Sequence, residues 1–221
     1  VPEQKKALAE IIKGYVSNGG FLFAMCSATD SFDIALATLG IDAAHPVYDG
    51  TPIAKGLDDA INYNNSLAFY NFDIITDPMV YEYSNIDYPP SNNVVVRGAE
   101  ADYFSLFEFS AKYDPIPTML TQNHVGVIKG FMGQTTGFDR EKIKKHVLIL
   151  GEDETTPQVK YLHGNIGQGT FTFLGGHDPE DYQHYVGDPQ TDLSLHRNSP
   201  GYRLILNNIL FPAARKKERK T

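Results

Sequence analysis

An unbroken apolar run closed by a small polar turn constrains this chain more than any other feature. In "GGFLFAMCSATDSFDIALATLG" (Gly19 to Gly40), the stretch from Phe21 to Met25 contains no polar residue, and Cys26, Ser27, Ala28, Thr29 and Asp30 follow at once. Five apolar residues have the length of a strand, and a run polar on neither side suits a strand covered by helices on both faces. Ahead of it, from Gln4 to Ser17, Leu8, Ile11, Ile12, Tyr15 and Val16 fall at helical spacing among Lys and Glu residues. Asn18, Gly19 and Gly20 end that helix, because glycine accepts a left-handed backbone without a Cβ clash. Behind the run, Asp30 to Gly40 reads as a short helix with Asp30 as N-cap and Gly40 as its stop. Helix, buried strand, sharp turn and helix is the order of elements in an α/β sheet.

The same order returns late in the chain. His146 to Glu152 reads as a strand, and Gln158 to Gly176 as a hairpin of two alternating strands around a Gly- and Asn-rich turn. "SPGYRLILNNILFPA" (Ser199 to Ala213) is a final helix with Ser199 as cap and Pro200 at its first position. The middle, about 45–114, differs: it carries "YPPSNN" and many aromatics, including Tyr63, Phe69, Tyr70, Phe72, Tyr81, Tyr83, Phe104 and Phe107. Two readings are open there, an insertion of short strands and loops packed on the main sheet, or an aromatic-lined ligand surface suited to sugars. "VVVRG" (Val94 to Gly98) reads as a strand within it. The expected organisation is a single α/β domain over 1–214 with that insertion, then a basic tail over 215–221.

Composition removes several classes of function. The net charge is −8, and the basic residues are partly collected in the tail "RKKERK". Phosphate neutralisation needs a basic face, so nucleic acid is not an expected partner. The chain has one cysteine, which forbids an internal disulfide. No apolar run approaches the ~20 residues of a membrane-spanning helix, and no signal-peptide pattern opens the chain. It starts at Val1, without Met and directly in a helical pattern, which reads as a processed or truncated chain. No glycine-rich phosphate cradle is present, and no cofactor is expected.

Cys26 is the first chemical candidate. A nucleophile elbow sets a side chain on a strained strand-to-helix turn, and its neighbours two positions away must be small; here they are Ala24 and Ala28. The helix that follows would lower a thiol pKa and supply amide donors to an oxyanion. The structural alternative is a small hydrophobe ending a core strand. A cysteine nucleophile needs a base, and the best candidate is His177 in "LGGHDPEDYQHYVGDP", with Asp178, Glu180 and Asp181 available to orient its ring. The same loop also reads as a plain capped turn, with acids in the first turn after Pro179. A weaker alternative is a mixed metal site from His177, Asp178, Asp181 and His184. His124, between Asn123 and Val125, could face a pocket or make only local contacts. His163 falls in a strand by the hairpin turn, and His45, His146 and His196 read as surface or turn residues.

Two motifs taken together resemble a known family. "YVSNGGFLFAMCSATDSF" and "GQGTFTFLGGHDPEDY", followed by a final helix, resemble segments of ThuA-like (trehalose-utilisation) proteins, which belong to the class I glutamine-amidotransferase-like superfamily. The whole chain also resembles bacterial proteins, common in Bacteroidetes, that carry the label asparagine synthetase B. The resemblance implies a flavodoxin-like α/β fold with helices on both faces. It implies a Cys26, His177, Glu180 triad (Asp178 as the other acid), with backbone amides near Gly20 and Ser27 as oxyanion site and Thr29, Asp30 and His124 around it. It implies hydrolase or amidotransferase chemistry on a small amide or carbohydrate-derived substrate. The alternative is a non-catalytic carbohydrate- or protein-binding module on the same fold. It further implies first strands supplied by a preceding segment of the same protein, and a periplasmic setting. Three departures stand: Cys26 replaces the His usual in ThuA-like proteins, the elbow glycines are alanines, and His177 and Glu180 form H-x-x-E where amidotransferases have H-x-E.

Overall fold

The computed structural model describes residues 2–88, 103–107, 125–129, 131–133, 135–179, 187–210 and 212. The strand read at Val94 to Gly98, the tail over 215–221 and parts of the aromatic insertion lie outside them.

Helix α1 (Pro2–Ser17) leads into strand β1 (Phe21–Met25), and helix α2 (Ala28–Ala37) follows after the turn. Expectation and structure differ at the start of α2. The helix begins two residues earlier than Asp30; Ser27 is its N-cap and Asp30 lies inside the first turn. The chain then makes two four-residue helices, α3 (Pro46–Asp49) and α4 (Leu57–Ala60). Strands β2 (Phe104–Leu106), β3 (Val127–Ile128), β4 (Phe131–Met132) and β5 (Phe138–Asp139) are short. The long ones come late: β6 (Leu148–Glu152), β7 (Gln158–Ile166) and β8 (Gly169–Leu174). Strand β9 (Asp178–Pro179) and helix α5 (Pro200–Leu210) complete the described elements. Ser199 accepts the Tyr202 amide at 3.2 Å, the N-cap bond read from the sequence.

The protein is mixed α/β. Seven described strands form one sheet in the order β1-β8-β7-β6-β2-β3, with β5 on β7 where β8 has ended. Pairing is mostly antiparallel; among the described residues only β1 and β8 run parallel. Connection length explains this. Gly167 and Gln168 join β7 to β8, and 153–157 join β6 to β7; links so short return the chain antiparallel. β1, set apart from β8 by most of the chain, is free to run parallel.

Helices cover both faces. On one, Ala9 of α1 and Leu36 and Ala37 of α2 pack with Leu162, Phe171 and Phe173. On the other, Leu204 of α5 packs with Tyr161, Leu174, Phe104 and Phe131. Tyr161 and Asn208 tie α5 to the sheet: the Asn208 amide donates to the Tyr161 hydroxyl at 2.7 Å. The aromatics of this region divide by burial. Phe69 and Phe72 are fully buried in the first core, whereas Tyr48, Tyr81 and Tyr83 are exposed.

The buried loop at 66–69 is held by charge. Both Asp33 oxygens accept backbone amides, from Leu67 at 2.7 Å, Ala68 at 2.7 Å and Phe69 at 2.8 Å. Lys144 donates to the carbonyls of Tyr63 and Ser66. A fully buried carboxylate with three donors is a structural clamp. Burial still raises Asp33 to about 6, against the pull of those amides and of Lys144.

Candidate active site

β1 ends on Cys26, which takes a left-handed backbone at φ +54°. A non-glycine residue held there costs on the order of 1–3 kcal/mol, so the surroundings must enforce it. They do so from both sides. The Cys26 amide donates to Leu174 at 3.0 Å, continuing the β1–β8 ladder one residue past the strand. The Cys26 carbonyl accepts the Thr29 amide at 3.1 Å and the Thr29 hydroxyl at 2.7 Å. Ala24 is buried in the core. The thiol itself is almost wholly buried. The first turn of α2 starts directly after it, and its leading amides have no carbonyl within the helix to bond.

His177 reaches the thiol through two glycines. Gly176 has φ +76°, and a Cβ on it would stand 2.2 Å from the Phe131 carbonyl oxygen; one on Gly175 would stand 2.4 Å from that of Thr136. The segment from Phe131 to Gly137 therefore crosses directly over the pair. β4 of that segment pairs antiparallel with β9, fixing the chain on the far side of His177. Gly133 fills the gap between the two reactive groups. A Cβ built there would be 2.8 Å from Cys26 Sγ and 3.2 Å from His177 Cδ2, which caps the separation of sulfur and ring carbon at about 6 Å. The His177 side chain is exposed at the rim of this junction.

The remaining candidates divide. Ser27 and Thr29 stand at the elbow, and Asp30 is fully buried one turn into α2. Gly20 does not join them. It precedes β1 whereas Cys26 follows it, so a five-residue strand, roughly 17 Å long, lies between. Its close neighbour is the Tyr15 ring, on which a Cβ at Gly20 would collide at 2.4 Å. Gly20 is thus a packing glycine and cannot donate to an oxyanion at the thiol. Glu180, Asp181, His184 and His124 lie outside the described residues, and of Asp178 only the backbone, in β9, is described. Among the described residues no group of three or more His, Cys, Asp or Glu is arranged to hold a metal. His163 is buried in β7 against the Thr172 hydroxyl at 3.0 Å, and burial lowers its pKa to about 4.

Four participants escape sequence reasoning. Thr135 donates its hydroxyl to Asp30 Oδ1 at 3.2 Å. Asp87, 5% exposed, comes from the insertion, and Phe138 pairs with its backbone. Burial first, then the Asp30 charge, raises Asp87 to about 8; Thr135 partly offsets this, and Glu82 and Cys26 add to it. Burial likewise raises Asp30 to about 7, opposed by the Ser31 amide and Thr135. Tyr81, raised by burial and then by the Cys26 charge, also lines an open groove of about 320 Å³. Tyr48, Pro78, Met79, Val80 and Tyr83 line it with Tyr81. The one sequence signal for this side of the site was the pair of glycines in "FMGQTTGF".

No described helix is long and apolar enough to cross a membrane. Comparison with known proteins finds no family model, no curated protein and no solved structure that matches this chain.

Proposed function

We propose that this chain is a thiol-dependent hydrolase or amide-transfer domain of the amidotransferase or ThuA-like kind. Its flavodoxin-like kinship is part of the same proposal. The observation that carries it is Cys26 in a left-handed backbone at the strand-to-helix turn, with the His177 ring within about 6 Å across Gly133. A core cysteine needs no strained backbone, and a structural strand end needs no imidazole beside it.

In this reading His177 takes the thiol proton as sulfur attacks the carbonyl carbon of a small amide. The tetrahedral oxyanion rests on the Ser27 and Ala28 amides, since the Thr29 amide is bonded to the Cys26 carbonyl. His177 returns the proton to the departing amine, the C–N bond breaks and a thioester remains. Water, deprotonated by His177, then releases the acid and restores the thiol. Glu180 or Asp178 would orient the ring. Amides and carbohydrate-derived carbonyl compounds are the substrate classes.

Alkylation by iodoacetamide near neutral pH tests this reading. Cys26 in the native protein should react faster than free cysteine, and His177→Ala should abolish the advantage. A thiol that reacts no faster than an unfolded control overturns it. A second reading, a carbohydrate-binding module, is favoured by the exposed Tyr48, Tyr81 and Tyr83 around the groove, since flat aromatic faces suit sugar rings. Calorimetry against a glycan panel decides it: heat lost on Tyr81→Ala supports binding, and no heat with any glycan removes it.

A further inference from the structure

We propose that Asp30 and Asp87 hold one proton between them beside Cys26 and act as positioning residues for its thiol. The proposal rests on the reading of Cys26 as the reacting group.

Asp30 is fully buried; its Oδ1 accepts the Thr135 hydroxyl, and the other donors that pull on its carboxylate are amides of its own helical turn. Asp30 Oδ2 and both oxygens of Asp87 are buried with no hydrogen-bond partner among the described residues. Neither side chain can leave. Asp30 is fixed in α2, and the Asp87 backbone is clamped by bonds from Asp139 to Ile86 at 2.7 Å and from Tyr88 to Gly137 at 3.1 Å.

The groups that act on the pair are negative or neutral. From α2 comes Asp33, from the insertion Glu82 and Tyr81, from the elbow Cys26, and from the crossing segment Thr135. Among the described residues no lysine or arginine is one of them, and the His177 ring lies within about 6 Å of the thiol. Two ionised carboxylates in such a place oppose each other, and three of their four oxygens have no hydrogen-bond partner among the described residues. One proton answers both difficulties, since a protonated carboxyl becomes a donor to its neighbour. The raised values of about 7 for Asp30 and about 8 for Asp87 agree with a proton kept at neutral pH.

The consequence falls on the thiol. The Asp87 and Cys26 charges oppose each other, so a thiolate forms most readily while the pair keeps its proton. As pH rises, loss of that proton hinders thiol ionisation. The rate of Cys26 alkylation should therefore rise over a broader range than one ionisation spans.

The test is the pH profile of iodoacetamide alkylation in the whole chain, with infrared difference spectra between about pH 6 and pH 9. Wild type should give a broadened rate profile and a protonated-carboxyl band that disappears at the higher pH. Asp87→Asn should narrow the profile to one ionisation, leave the rate near neutral pH close to wild type, speed alkylation at about pH 9 by roughly tenfold and remove the band. Asp30→Asn should do the same more weakly. A band absent from wild type at the lower pH overturns the proposal whatever the folding of the variants, and superimposable profiles from folded variants overturn it too. If the thiol is inert but the band is present and lost in Asp87→Asn, the catalytic reading falls and the shared proton stands.

Discussion

Asp33 and Asp87 are both aspartates buried on the inner side of the fold, and they are treated in opposite ways. Asp33 receives three backbone amides at 2.7 to 2.8 Å and feels Lys144. Asp87 receives no backbone amide among the described residues; Thr135 alone pulls its value down, against burial and against Asp30, Glu82 and Cys26, all negative when ionised. The first carboxylate replaces lost water with fixed donors and thereby folds a loop. The second lost its water and received no fixed backbone donor in return, which selection for stability alone does not favour. Burial is common to both; satisfaction separates a clamp from a site.

The largest expected effect breaks the clamp. Asp33→Ala leaves three buried amides without an acceptor, and urea denaturation should show a loss of about 3–5 kcal/mol. Asp33→Asn keeps the shape and one acceptor oxygen, so it should cost less than Asp33→Ala. If either change costs no more than an ordinary surface substitution, the distinction drawn from hydrogen bonding fails. Next comes Gly133→Ala, which acts on the reactive junction. Its methyl would meet Cys26 Sγ at 2.8 Å and the Gly176 backbone at 2.9 Å. The backbone contact cannot be relieved by a rotamer change, so a loss of roughly 1–3 kcal/mol is expected. Cys26 alkylation should slow by roughly tenfold or more as thiol and imidazole are forced apart.

The half of the comparison that folds locally was legible in the sequence. α1, β1, α2, the β7–β8 hairpin and the Ser199 cap of α5 follow from apolar period, glycine stops and one hydroxyl, all read within a few residues. Mostly antiparallel pairing was missed because a buried run such as "FLFAM" gives no strand direction. Asp33 meets its amides 34 to 36 positions away, and Thr135 meets Asp30 at a separation of 105. No pattern along the chain encodes such distances. Cys26 and His177 were selected by chemistry, a thiol needing a base, whereas Asp87 sits in "NIDYPP" with nothing local to mark it. Asp30 looked like an N-cap because it precedes the apolar helix pattern; the tight elbow starts the helix at Ala28 and draws Asp30 inside.

A pH series sharpens the comparison with a moderate effect. In the unfolded chain an aspartate ionises near pH 4, whereas the fold keeps the proton on Asp30 to about 7 and on Asp87 to about 8. The folded state therefore binds more protons between these limits, and stability must fall as pH rises, flattening above about 8. His163 works the other way. Its folded pKa near 4 lies below the ordinary 6.5, so its contribution is lost as pH falls below about 6.5. The clean window is about pH 6.5 to 8.5, where wild type should lose roughly 1–2 kcal/mol. Asp87→Asn should remove most of that slope, and Asp33→Asn, whose parent titrates near 6, should leave it in place. A slope unchanged by Asp87→Asn would mean that another group carries it.

The smallest expected effect concerns the one described side-chain donor to Asp30. Thr135→Val preserves shape but removes the 3.2 Å bond to Asp30 Oδ1. The cost should be about 0.5–1.5 kcal/mol, the ordinary range for one hydrogen bond. Its pH dependence carries the information. A hydroxyl donor favours the charged carboxylate, so its loss should cost more at the alkaline end of the window than at the acid end, and the fall in stability should become steeper. Thr135→Ser, which keeps the donor, should restore the wild-type slope. Equal costs at both ends would make Thr135 an ordinary packing residue and leave Asp30 as isolated as Asp87. Burial without donors would then describe both carboxyls, and Asp33 alone would stand as the satisfied member of the three.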